Sequence, residues 1–216
     1  THATEIESYA RIVRDASLDT WTVWQRNGIR ATYKPVWMTS KGVFVWGIRE
    51  RVDPHGNTVT YDWFQDGTPG AAVYPDRITY NKGRVVIQFW REARPDVLPM
   101  ATGANFGVMR YRLRTIQVSV MGRMASAYWL VYQFDDIRNT TSGRHPLVSP
   151  GGPTSGEILL RSRLVTVRRY GKDAVLDVEG KVTSGSFDPS QETLAGYLGP
   201  TNISTNGGTT NIGTIG

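Results

Sequence analysis

The sequence contains no cysteine and only three histidines in 216 residues. The first absence excludes a disulfide framework and any thiolate metal site, though it does not separate cytosol from cell exterior. The second leaves His2, His55 and His145, one near the terminus and two in Pro/Gly-rich turns, without the convergent spacing a zinc centre needs. Lysine is scarce as well: of the 25 basic side chains only five are lysine, and the net charge is +6. Positive charge is therefore carried by planar guanidinium forks, which suit fixed pairing with carboxylates. The arginines are dispersed along the chain rather than gathered with exposed aromatics, which argues against a nucleic-acid face. No apolar run approaches the roughly 18 residues of a membrane span, and THATEIESYAR at the start has no basic-then-apolar signal pattern.

What the sequence does have is seven Trp, ten Tyr and 23 Gly, a composition that leans to β structure. WTVWQRNGIRATY, from Trp21, reads as two strands around an Asn27-Gly28 turn of type I′. A glycine turn at Gly42 leads into GVFVWGIRERV, whose alternation suits a strand covered on both faces. VDPHGNTVTYDW follows, with Asp53 expected to cap a turn, Gly56 and Asn57 to supply its unusual dihedrals, and Tyr61 and Trp63 to anchor the outgoing strand. Val59, Tyr61 and Trp63 should point inward, and Thr58, Thr60 and Asp62 outward. Further hairpins are expected around Asn81-Lys82-Gly83 and Met121-Gly122. The turn glycines Gly28, Gly56, Gly83, Gly122 and Gly171 lie at irregular intervals, so no propeller or solenoid period is set.

The expected fold is all-β, a meander of antiparallel hairpins with little or no helix. Its boundaries are a hairpin domain over 1–198, with a Pro/Gly-rich loop near 136–156, and a Thr/Asn/Gly-rich tail over 199–216 ordered by pairing.

Chemistry finds little foothold. GTPGA at residues 67–71 lacks the Lys-Ser/Thr end of a phosphate loop, and the GSF at Gly185 lacks the second glycine of a nucleophile elbow. Asp53, Gly56 and Asn57 resemble pieces of a calcium loop without its alternating acids or closing Glu. Adjacent acids such as Asp135-Asp136 are read as solvated or arginine-paired rather than as a glycosidase pair. EARPDV places Glu92, Arg94 and Asp96 at alternate positions beside Pro95, a pattern for an ion network that fixes a strand end. Arg110, Arg112 and Arg114 share one strand face, which is wet, covered by acids, or a docking surface. No catalytic residue, metal or cofactor is expected.

Several stretches resemble a known family. VDPHGNTVTYDW resembles the YD-repeat unit of Rhs and insecticidal-toxin-complex proteins, and WQRNGIRATY looks like a further copy. YPDRITYNKGRVVIQFWREARPDVLPMATGANFGVMRYRLRTIQVSV is similar in order to a segment of SpvB/Rhs-type toxin proteins, and LLRSRLVTVRRYG to a later element of them. The resemblance implies a YD-repeat-like sheet or open shell segment within a larger β-rich bacterial protein, secreted or on the cell surface. In that family such hairpins build shells or platforms around or beside a separate toxic or binding domain, and the catalytic parts lie elsewhere.

The leading expectation is thus a non-enzymatic scaffold that encases or presents another domain, partnered by the rest of a larger polypeptide or by other subunits. A second reading is a carbohydrate- or receptor-binding module using Trp37, Trp46, Trp63 and Trp90 as stacking platforms, for a glycan or cell-surface receptor. A third is a subunit of an extracellular filament or sheath joined through its strand edges.

Overall fold

The computed structural model describes residues 8–39, 41–67, 72–102, 105–132, 162–187, 189, 193–194, 204–205 and 208–209. The expected loop over 136–156 and most of the expected tail lie outside the described residues.

The chain is a β meander. Strands β1 (Arg11–Asp15), β2 (Thr20–Trp24), β3 (Arg30–Thr39), β4 (Gly42–Val52), β5 (Thr58–Gln65), β6 (Val73–Tyr80), β7 (Val85–Thr102), β8 (Asn105–Val120), β9 (Arg123–Tyr132) and β10 (Leu164–Tyr170) lie in sequence order in one antiparallel sheet. β11 (Val175–Leu176) and β12 (Val182–Ser184) form a small hairpin of their own, and β13 (Thr193–Leu194) adds an edge beside β10. In the tail, β14 (Ser204–Thr205) pairs with β15 (Gly208–Thr209), so its described residues pair with each other. The big sheet is open, with β1 and β13 as its outer strands among the described residues.

Turn chemistry explains the meander, with two corrections. The Asn27-Gly28 turn is not type I′: Gly28 has φ +79°, but Asn27 stays in the ordinary negative region. Its three-residue loop is closed by Gln25 N–H to Ile29 O (2.8 Å) and Gly28 N–H to Gln25 O (2.9 Å), a type I turn followed by a left-handed glycine. The Asp53–Asn57 turn has the same two closures, at 3.0 Å each, and only Gly56 takes positive φ. Asn57 therefore contributes through its side chain, not its dihedrals: Nδ2 donates to Asp53 Oδ2 at 2.7 Å. Asp53 Oδ1 accepts the backbone N–H groups of His55 and Asn57, at 2.9 and 2.8 Å, which makes it the turn's cap. The type I′ geometry occurs instead at Met121-Gly122, where Val120 pairs with Arg123 and both central residues have positive φ, 51° and 76°.

Burial does not follow the alternation expected for residues 58–63. All six positions are half-buried. The sheet is a single layer there, so neither face is sealed, and a bulge between Asp62 and Trp63 breaks the two-residue period. The most buried side chains lie in two places: Thr115, Ala127, Val131 and Thr166 at β8–β10, and Ala31 and Ala72 in β3 and just before β6, are each 5% exposed or less. After Tyr170 the chain folds back, and Ala174, Leu176 and Val182 pack against Ala127, Tyr170 and Trp129. That hairpin supplies the second layer that a one-sheet fold otherwise lacks.

Candidate functional site

The site grows from an irregularity in β7. Ala93 pairs with Tyr111 and the next rung joins Leu98 to Met109, so five steps on β7 match two on β8. Pro95 has no N–H to give a ladder, and the chain between the two rungs is thrown out of register as a wide bulge. Glu92, Arg94 and Asp96 consequently do not line one regular strand face.

They are nonetheless joined. The Arg94 guanidinium forks onto the Asp96 carboxylate at 3.0 and 3.3 Å. Asp96 also accepts the Ser162 backbone N–H at 2.6 Å and the Ser162 hydroxyl. Arg112 donates to Ser162 Oγ at 3.0 Å and, through Nε, to Glu92. Arg114 Nε donates to the other Glu92 oxygen at 2.8 Å, and its Nη1 reaches Glu179 at 3.3 Å. Four places in the chain, the β7 bulge, β8, the entry to β10 and the turn bearing Glu179, are thereby tied by one chain of charge-assisted bonds. Asp96 and Arg112 are buried, while Glu179 is 75% exposed.

Burial alone would raise the Asp96 carboxyl. The bonds from Arg94 and Ser162 and the Arg94 charge outweigh it and hold the group well below the usual carboxylate range. Burial likewise opposes the Arg114 charge, but Glu92 and Glu179 more than compensate, so its proton is held more firmly than usual.

Of the three arginines on β8, Arg110 faces Asp66 at 3.7 Å, and Arg112 and Arg114 share Glu92. Their face is covered by acids. Arg112 also lies over the Tyr132 ring, 4.1 Å from its centroid.

The four tryptophans do not converge on one platform. Each is half-buried. Trp37 meets Phe44 edge-on at 4.8 Å, and Trp46 meets Trp21 at 6.0 Å. Trp63 lies where a Cβ on Gly47 would stand, and its indole N–H donates to Ile48 O at 2.8 Å. Trp90 donates to Gln117 at 2.8 Å and lies directly against Gly180, where an added Cβ would come within 2.1 Å of the ring.

Gly180 belongs to a turn the sequence reading passed over. Asp177 N–H bonds Lys181 O at 3.0 Å, Gly180 N–H bonds Asp177 O at 3.1 Å, and Asp177 Oδ1 accepts Glu179 N–H and Lys181 N–H at 2.9 and 2.8 Å. DVEGK thus repeats the geometry of DPHGN, and the shared D-x-x-G spacing was a visible signal for it. Among the described residues no group of three or more His, Asp or Glu could hold a metal ion.

No family model matches the sequence, and no curated protein does. Solved structures share the fold. One is the Tc holotoxin pore of Photorhabdus luminescens, with 13% identity and a TM-score of 0.57, covering 84% of this chain and 11% of that one. TcdB2-TccC3 without its hypervariable C-terminal region gives 12% identity and a TM-score of 0.54, covering 82% of this chain and 11% of that one. The N-terminal domain of the effector protein SpvB from Salmonella typhimurium strain LT2 gives 12% identity and a TM-score of 0.52, covering 70% of this chain and 61% of that one. The chain thus spans about a tenth of the toxin-complex chains and under two thirds of the SpvB chain. Its fold is that of a β-rich segment found in Tc-toxin and SpvB-type proteins, the fold that the Rhs/YD-repeat resemblance implied.

Proposed function

We propose that the chain is a non-enzymatic scaffold segment of a large, secreted or surface, toxin-complex-like bacterial protein, and that its sheet encases or presents another domain. The observation that carries this reading is the ion network. Glu92, half-buried, is held by two guanidinium groups and the buried Asp96 by Arg94 and Ser162, so both carboxylates serve as ties within the fold. A glycan hydrolase would need two carboxylates facing each other across an open cleft. A single-layer sheet with half-buried faces also suits a wall whose further cover comes from a neighbour. Trp37, Trp46, Trp63 and Trp90 pack separately, so the glycan-binding reading lacks the four-tryptophan platform it calls for.

The test is limited proteolysis of the full-length polypeptide, wild type against Arg112→Ala, with tryptophan fluorescence to register loosening of the sheet. A wall predicts that the neighbouring domain becomes cleavable when the sheet loosens. If the sheet loosens and the neighbour's cleavage is unchanged, the encasing role is overturned.

A further inference from the structure

In the meander every second reversal returns the chain to the same side, so the β2–β3, β4–β5, β6–β7 and β8–β9 turns share one end of the sheet. Two of them are tied into one unit, because Met121 N–H donates to Arg84 O at 2.6 Å. Tyr80, Val85, Val120 and Arg123 are cross-strand partners and form one row across that unit. Tyr80 and Val120 are exposed, and Met121 at the apex is 71% exposed, so three large apolar side chains meet solvent together. Lys82, Arg84 and Arg123 are exposed around them and make no ion pair, side-chain hydrogen bond or ring contact with any described residue. The described acids at this end have partners of their own. Glu50 pairs with Arg30 at 3.6 Å, Asp53 caps its turn, and Asp173 accepts the Ser186 N–H at 2.7 Å with Lys172 beside it. Even with those three counted in full, the six cations Arg26, Arg30, Lys82, Arg84, Arg123 and Lys172 outnumber them. The backbone is strained at the same two tips: Lys82 and Met121 hold φ of +55° and +51°, a region that favours glycine or asparagine. A methionine so exposed gains the fold little there, and a local rule broken without a gain in packing points to a contact outside the fold.

We propose that the paired β6–β7 and β8–β9 tips dock on the surface of an anionic phospholipid bilayer, with Met121 entering the headgroup layer beside Tyr80 and Val120 while Lys82, Arg84 and Arg123 meet the phosphates. The shape of the tips favours this partner. Four strands of a single-layer sheet, seen end-on, make a ridge on the order of 20 by 10 Å. That footprint is far below the roughly 800 Å² per partner of a stable protein interface, and a ridge lacks the concavity of a small-molecule site. A fluid plane of headgroups needs neither, since it takes up lone apolar side chains and draws cations to its charge. Three cations and a short apolar apex give a weak, reversible contact, and it is independent of the scaffold role.

The test is flotation of the 216-residue chain with phosphatidylcholine vesicles containing about 30% phosphatidylserine, against vesicles of phosphatidylcholine alone. The chain is expected to float with the anionic vesicles only, and the bound fraction to fall several-fold as salt rises from about 50 to about 500 mM. Met121→Asn, which suits the turn better, should cut the bound fraction several-fold without lowering the melting temperature. Lys82→Glu should cut it as well. Lys41→Glu, the same charge change on the exposed β3–β4 turn at the opposite end of the sheet, should not. Flotation with neither vesicle or equally with both, equal loss from Lys41→Glu and Lys82→Glu, or full binding by Met121→Asn would each overturn the proposal. The last would mean that charge alone is read, as a soluble polyanion would read it. None of these outcomes bears on proteolytic protection of a neighbouring domain, so the scaffold reading would stand or fall separately.

Discussion

Glu92 is the residue on which two buried or nearly buried guanidinium groups depend. Removing it strands Arg112, 7% exposed, without its carboxylate. Breaking a buried pair from one side costs about 3–5 kcal/mol, so Glu92→Ala should lower the urea midpoint sharply. Glu179→Ala, at the solvent end of the same network, should cost under about 1 kcal/mol in the same measurement. Asp96 gives a pH signature. Its folded carboxyl titrates below its unfolded value of 3.8, so its contribution is present above that value and is lost as pH falls from there towards the folded value. The stability gap between wild type and Asp96→Asn, followed by denaturant melts, should therefore hold steady through mildly acidic pH. Below the ordinary carboxylate range it should close. A gap that closes between pH 7 and 5 would contradict the network as drawn. The acidic and basic partners on β7 and β8 were legible in EARPDV and RYRLR. Ser162 was not, because 66 residues of chain separate it from Asp96 and no local pattern reports such a closure.

At the scale of single elements, the turns carry the specification. Met121 holds φ +51° at 71% exposure, a conformation that suits asparagine or glycine far better than an unbranched apolar side chain. Met121→Asn should stabilise the chain by about 0.5–1 kcal/mol, seen as a higher melting temperature. Gly180 is the opposite case. Its φ is +76° and Trp90 fills the space beside it, so Gly180→Ala should lift the β11–β12 hairpin and redshift the Trp90 emission. The glycine positions of the β2–β3, β4–β5, β6–β7 and β8–β9 turns were readable because each had to reverse the chain between two alternating runs. The DVEGK turn escaped notice because its flanking strands are two and three residues long, too short to show a period. The alternation expected in β5 failed for a different reason: a period of two predicts which residues share a face, but not whether anything covers that face.

For the whole molecule, the segment after Tyr170 decides how much of the sheet is dry. Deleting residues 171–187 would uncover Ala127, Tyr170 and Trp129 at once. The shortened chain should bind a hydrophobic dye and self-associate in size-exclusion chromatography, while Glu179→Gln, which leaves the hairpin in place, should do neither.

The β7–β8 ribbon has one further consequence, and it is mechanical. β7 pairs with β6 only from Val85 to Gln88, yet runs on to Thr102 beside β8 alone. At about 3.3 Å per residue its 18 residues reach at most on the order of 60 Å, much of that beyond the ladder with β6. It is a lever with a fulcrum at the Ala93–Leu98 bulge, and Asp96 pinned to Ser162 is the bolt across that fulcrum. A pull on the far end loads that bolt together with the Ala72 N–H to Val108 O bond (3.0 Å) and the Arg110 N–H to Tyr74 Oη bond (2.9 Å), so the arm is pinned on both of its strands.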